Sequence, residues 1–88
     1  MHNLIKKEKN VESVGEIIRF WRHISRKSQM DLALDIDISP RHLSFVETGK
    51  SNPSRNLVSK IAHSLKLPFR HRNAFLMAAG YAPEFEEQ

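Results

Sequence analysis

The chain has 88 residues, no cysteine, 27% charged and 40% hydrophobic residues, and a formal net charge of +4. That describes one folded domain with a modest core, and it excludes a disulfide scaffold, thiol chemistry and a wholly disordered chain. The charge is uneven: residues 1–80 hold all 14 Lys and Arg but only 7 of the 10 acids, while Glu84, Glu86 and Glu87 lie at the end, so the basic body suits a polyanionic partner.

Residues 1–12 are polar, with Leu4, Ile5 and Val11 as interruptions, and read as a flexible basic arm. Lys6, Lys7 and Lys9 can lie along a polyanion, although a frayed terminus is the simpler reading. The segment lacks the apolar run of a signal peptide, and no stretch approaches membrane-spanning length. A soluble, cytoplasmic chain with no membrane partner is expected.

Ser13 and Glu16 form a capping-box pattern that starts a first helix. Val14, Ile17, Ile18, Trp21 and Ile24 recur at helical spacing, flanked by Arg19, Arg22, His23 and Arg26. Trp21 is expected to pack, since aromatics at such spacing bury their area. A second box, Ser28 with Asp31, begins a helix at Ser28 or Gln29 whose apolar face is Met30, Leu32, Ala33 and Ile36. Asp37 interrupts it. Ser39 and Pro40 are a favoured cap and first residue for a third helix, and Gly49 is a favoured stop. Two short helices about a tight corner make a helix-turn-helix plan.

At about 100° per residue, Leu43, Val46 and Glu47 fall on one side of the third helix and Arg41, Ser44, Phe45 and Thr48 on the other. A guanidinium, hydroxyls and an exposed aromatic suit a helix in the DNA major groove, where Arg grips guanine O6 and N7 and an apolar group meets a thymine methyl. A merely solvated face is the competing reading. The following residues favour DNA: Lys50, Ser51, Asn52, Ser54 and Arg55 cluster in a loop and helix start, as a phosphate clamp requires. Ser, Asn and Pro are also ordinary turn residues.

Ser54 caps a fourth helix with Leu57, Val58, Ile61, Ala62 and Leu65 on its apolar face. Pro68 ends it and helps to start a fifth, in which Phe69, Phe75, Leu76 and Ala79 cover the core and Arg70, His71 and Arg72 form a solvated first turn. Gly80 closes it. The organisation expected is an arm (1–12), a helical domain (13–80) and an acidic tail (81–88).

These residues carry a family resemblance. Ser28-Gln29, Leu32-Ala33, Ile38-Ser39, Leu43-Ser44, Val46-Glu47, Gly49-Lys50, Pro53-Ser54 and Ile61-Ala62 resemble the lambda-repressor and Cro-like (XRE-type) helix-turn-helix domains, over about residues 13–67. SPRHLSFVETGKSNPSRNLV, with RNAFLMAAGYAP downstream, looks like the subgroup of MmyB-like bacterial regulators, in which a ligand-binding domain normally follows; the chain stops before one would begin. The resemblance implies a compact all-α, five-helix fold whose helix-turn-helix is formed by helices 2 and 3. It also implies a bacterial, nucleoid-associated protein and a phosphate contact at Gln29. Base-reading positions fall at Arg41, Ser44 and Phe45, with Pro40 beside them, and backbone contacts at Lys50 and Ser51. Arg22 is implied to pair with Glu47.

Two departures stand out. Arg26-Lys27 replaces the Gly-Leu frequent before Ser-Gln, which weakens the first helix stop and removes an apolar plug. Asp37 replaces the usual turn glycine, tolerably, because Asp adopts left-handed geometry more readily than most residues.

The leading function is therefore a sequence-specific, double-stranded DNA-binding transcriptional regulator reading the major groove with helix 40–48. A homodimer on half-sites about one DNA turn apart, roughly 34 Å, would double the readout, with Phe75, Tyr81 and Phe85 as candidate dimer surfaces. The alternative is a protein-interaction module on the same fold, of antitoxin or coactivator type. An enzyme is not expected: there is no Gly-rich phosphate loop or nucleophile elbow. Nor is a metal or other cofactor, because His2, His23, His42, His63 and His71 show no zinc-ligand spacing and there is no Cys. His42, on the reading helix, is expected to pack or to meet the DNA backbone.

Overall fold

The computed structural model describes residues 13–84; the basic arm and Phe85 lie outside them. Five helices follow one another: α1 (Val14–Ser25), α2 (Gln29–Asp35), α3 (Pro40–Glu47), α4 (Arg55–Ser64) and α5 (Phe69–Ala78). The described residues form no strand.

Local chemistry fixes most of these boundaries. Ser13, Ser28, Ser39 and Ser54 each cap a helix by accepting a backbone N–H through the side-chain oxygen, and at Ser13 and Ser28 the reciprocal acidic partner completes the box. Four otherwise orphaned donors are thereby satisfied. The C-termini share one device. Backbone bonds from Lys27 to Arg22, Ile38 to Ala33, Lys50 to Phe45, Leu67 to Ala62 and Tyr81 to Leu76 close the last turns, each over a residue with positive φ: Arg26, Asp37, Gly49, Lys66 and Gly80. This is the Schellman arrangement. α4 thus stops at left-handed Lys66, before Pro68 is reached, and Arg26 serves where a glycine was missed.

The core lies where the five apolar faces meet. Ile18, Leu32, Leu43, Val58, Ile61, Phe75 and Leu76 are fully enclosed, with one or more contributed by every helix. α1 packs on α3, α3 on α2, and α5 on α4. Some periodic apolar positions are not core. Ile24 and Met30 are 55% and 57% exposed, because the faces they extend run past the edge of the neighbouring helix. Phe75 is buried at 0% exposure, which corrects its reading as a dimer surface: its ring is needed inside. Tyr81 is half-buried against the core and its hydroxyl donates to the Pro53 carbonyl at 2.7 Å.

α1 reaches α3 because residue 15 has no side chain. Gly15 is buried, and a Cβ there would lie 2.8 Å from the Glu47 carbonyl carbon and collide with its oxygen. The backbones can approach this closely only over glycine.

Candidate nucleic-acid interface

α3 is amphipathic in the sense its spacing implies. Leu43, Val46 and Glu47 are buried, whereas Pro40, Arg41, His42, Phe45 and Thr48 are exposed and Ser44 is half-buried. The exposed face has an internal order. The Arg41 guanidinium carbon lies 5.5 Å from the centre of the Phe45 ring and the Lys50 ammonium 5.7 Å from it, both within cation–π range. Phe45, 38% exposed, therefore presents an apolar edge between two cations. Such a surface attracts a polyanion and concentrates positive potential along one side of the helix.

Thr48 is exposed at the end of this face. Its hydroxyl donates to the Ser44 carbonyl at 2.9 Å, so the group sits on its own helix, as Thr near a helix end commonly does. His42 is exposed rather than packed, and its backbone N–H is taken by the Ser39 cap.

The other end of α3 is fixed by Glu47. Buried at 5% exposure, it accepts Arg22 Nε at 2.9 Å and a second guanidinium nitrogen at 3.2 Å. Gln29 Nε2 adds a third bond at 3.1 Å. The Glu47 carbonyl accepts Arg19 at 2.9 Å. The two-pronged Arg22 contact holds angle as well as distance, so α1 and the start of α2 together set the attitude of the α3 face. Gln29 is consequently half-buried and its amide nitrogen is engaged within the chain.

The loop after α3 carries Lys50, Ser51, Asn52 and Arg55 close together, and all but half-buried Ser51 are exposed. Two of these side chains are tied to the C-terminal residues: Asn52 donates to the Ala79 carbonyl at 3.2 Å and Arg55 to the Ala82 carbonyl at 3.1 Å. Asn73 and the Glu84 backbone exchange two bonds of 2.9 and 2.8 Å. Residues 81–84, which composition groups with an acidic tail, thus lie along the body and brace the loop. Lys50 is left as the cation of the loop that reaches the α3 face.

Sequence reasoning missed Gly15, Arg19, Lys27, Asn73 and the bracing role of Tyr81. Lys27 pairs with Asp35 and also donates to the Ser64 carbonyl and hydroxyl, at 3.2 and 3.0 Å, joining α2 to α4. The Lys27 hydrogen bond, then that of Ser64, hold the Asp35 carboxyl below its ordinary pKa. None of these contacts has a signature within a single helix.

Among the described residues no group of His, Asp and Glu could hold a metal ion, and no helix is long and apolar enough to cross a membrane. A family model described as helix-turn-helix matches residues 25–71, spanning α2 to the start of α5. An uncharacterized HTH-type transcriptional regulator of Archaeoglobus fulgidus is 39% identical over 54 residues, which is 61% of this chain and 24% of that protein. The chain therefore spans about a quarter of that relative's length. No solved structure matches significantly.

Proposed function

The chain belongs to the helix-turn-helix family, and from that premise we propose that it is a transcriptional regulator that binds double-stranded DNA sequence-specifically with α3 in the major groove. One observation carries the reading: the α3 surface that faces away from the core holds Arg41, Ser44 and Phe45, with Lys50 beside the ring, and among the described residues no other segment covers it. Arg41 reads guanine, Phe45 meets a thymine methyl, and Ser44 bonds a base edge. Lys50 and Ser51 hold phosphates, joined by Gln29, Asn52 and Arg55 where their internal bonds exchange for the duplex.

One guanidinium–guanine contact supplies about 1–3 kcal/mol of discrimination, too little for a unique site. Two copies on half-sites roughly 34 Å apart supply twice that. The protein acts by binding rather than catalysis, in the cytoplasm where duplex DNA is available.

The test is a titration of a duplex selected from a random pool, followed by anisotropy between 50 and 200 mM salt. Affinity that falls steeply with salt supports the reading. Association that ignores salt and persists without DNA assigns the α3 face to a protein partner instead.

A further inference from the structure

We propose, building on that DNA-binding reading, that a cleft between the last turn of α1 and the start of α2 is a further anion site, taking a phosphate group through Arg26 with His23 beside it. The cleft, about 680 Å³, is lined by Arg19, Arg22, His23, Arg26, Lys27 and Ser28. No carboxylate is among these residues.

Three of the cations already have work inside the fold. Arg22 pairs with Glu47, Lys27 with Asp35, and Arg19 donates to the Glu47 carbonyl. Among the described residues the side chains of Arg26 and His23 make no hydrogen bond or ion pair. They face solvent and are both exposed. Arg26 also occupies a costly conformation: it is the α1 C-cap at φ 58°, ψ 39°, in the left-handed region that a glycine fills without strain. Asp37 and Lys66 close their helices in the same conformation, so the backbone alone does not single Arg26 out. What distinguishes it is an exposed guanidinium in the lining of a cationic cleft.

Position relates the cleft to the duplex. Arg19 and Arg22, on its wall, both bond Glu47, the last residue of α3, so the cleft opens one side-chain length from the end of the proposed reading helix. A phosphate held there belongs either to the DNA backbone beyond the base pairs that α3 reads or to a free phosphorylated small molecule.

Arg26→Gly separates charge from folding, because glycine suits the left-handed backbone and the side chain it removes is exposed and, among the described residues, holds no bond within the fold. Arg26→Lys restores a positive charge. For a backbone phosphate, Arg26→Gly weakens all duplex sequences alike and flattens the slope of log affinity against log salt by about 0.9, and Arg26→Lys recovers it. For a free phosphate, pyrophosphate shifts the amide resonances of His23, Arg26 and Lys27 in the intact chain and not in Arg26→Gly. A wild-type salt slope in Arg26→Gly together with no pyrophosphate response overturns the proposal. Should the intact chain bind no duplex at all, the regulator reading fails separately, and the pyrophosphate titration alone decides the cleft.

Discussion

Replacing Gly15 by alanine sets two effects of opposite sign against each other. Helix propensity favours the change by up to about 1 kcal/mol. Packing opposes it. The new Cβ would stand 2.8 Å from the Glu47 carbonyl carbon and 3.0 Å from Arg19 Nη1, and closer still to the Glu47 oxygen. Carbon atoms settle at about 3.5–4.0 Å, so α1 and α3 must part by about 1 Å. The obstacle is backbone and cannot rotate away. Overpacking of this kind costs about 1–3 kcal/mol, and the parting also stretches the Arg22–Glu47 bonds of 2.9 and 3.2 Å. A net loss of about 2 kcal/mol is expected, which lowers Tm by roughly 8–16 °C in a domain of this size. Thermal unfolding followed by circular dichroism measures it. A Tm equal to or above the wild type would refute the close approach of the two helices, and with it the account of how α3 is held.

Arg22→Ala strands a carboxylate that is 3% exposed at the side chain; because Arg22 itself is 18% exposed, the cost is set near the lower end of the buried-pair range, about 3 kcal/mol, read by urea denaturation. Tyr81→Phe deletes the 2.7 Å bond to the Pro53 carbonyl and lowers stability by about 1 kcal/mol, with faster amide exchange at residues 81–84. Asp35 has a folded pKa below its unfolded one, so its contribution is present above the unfolded value and lost as pH falls toward the folded value. The Tm advantage of wild type over Asp35→Asn is therefore full at neutral pH and shrinks below about pH 4; an advantage independent of pH would contradict the Lys27–Asp35 linkage.

What the sequence made legible was mostly local. The Ser13, Ser28, Ser39 and Ser54 caps and the Leu43, Val46 and Glu47 face each depend on residues within one turn, and the five helices follow from them. Met30 and Ile24 misled because a periodic position names a direction and not the extent of the neighbour that covers it. Phe75, assigned by its spacing to the core face and also offered as a dimer surface, serves only the core. The α1–α3 crossing at Gly15, the Arg19 bond to the Glu47 carbonyl and the bracing of Asn52 and Arg55 by residues 79–82 join parts of the chain about 27 residues apart or more. No spacing within a helix encodes them. The likeness to the MmyB-like subgroup rests on the sequence runs alone, whereas family membership also has the match over residues 25–71.

The central claim is that the Arg41 side of α3 chooses among DNA sequences. A scan of single base-pair changes across a selected site, with wild type, Arg41→Ala and Lys50→Ala titrated side by side, tests it most directly. Arg41→Ala should lose about 1–3 kcal/mol of discrimination at one G·C pair and stay near wild type elsewhere, while Lys50→Ala weakens every sequence equally. An Arg41→Ala variant that ranks all the sites as the wild type does would contradict the claim.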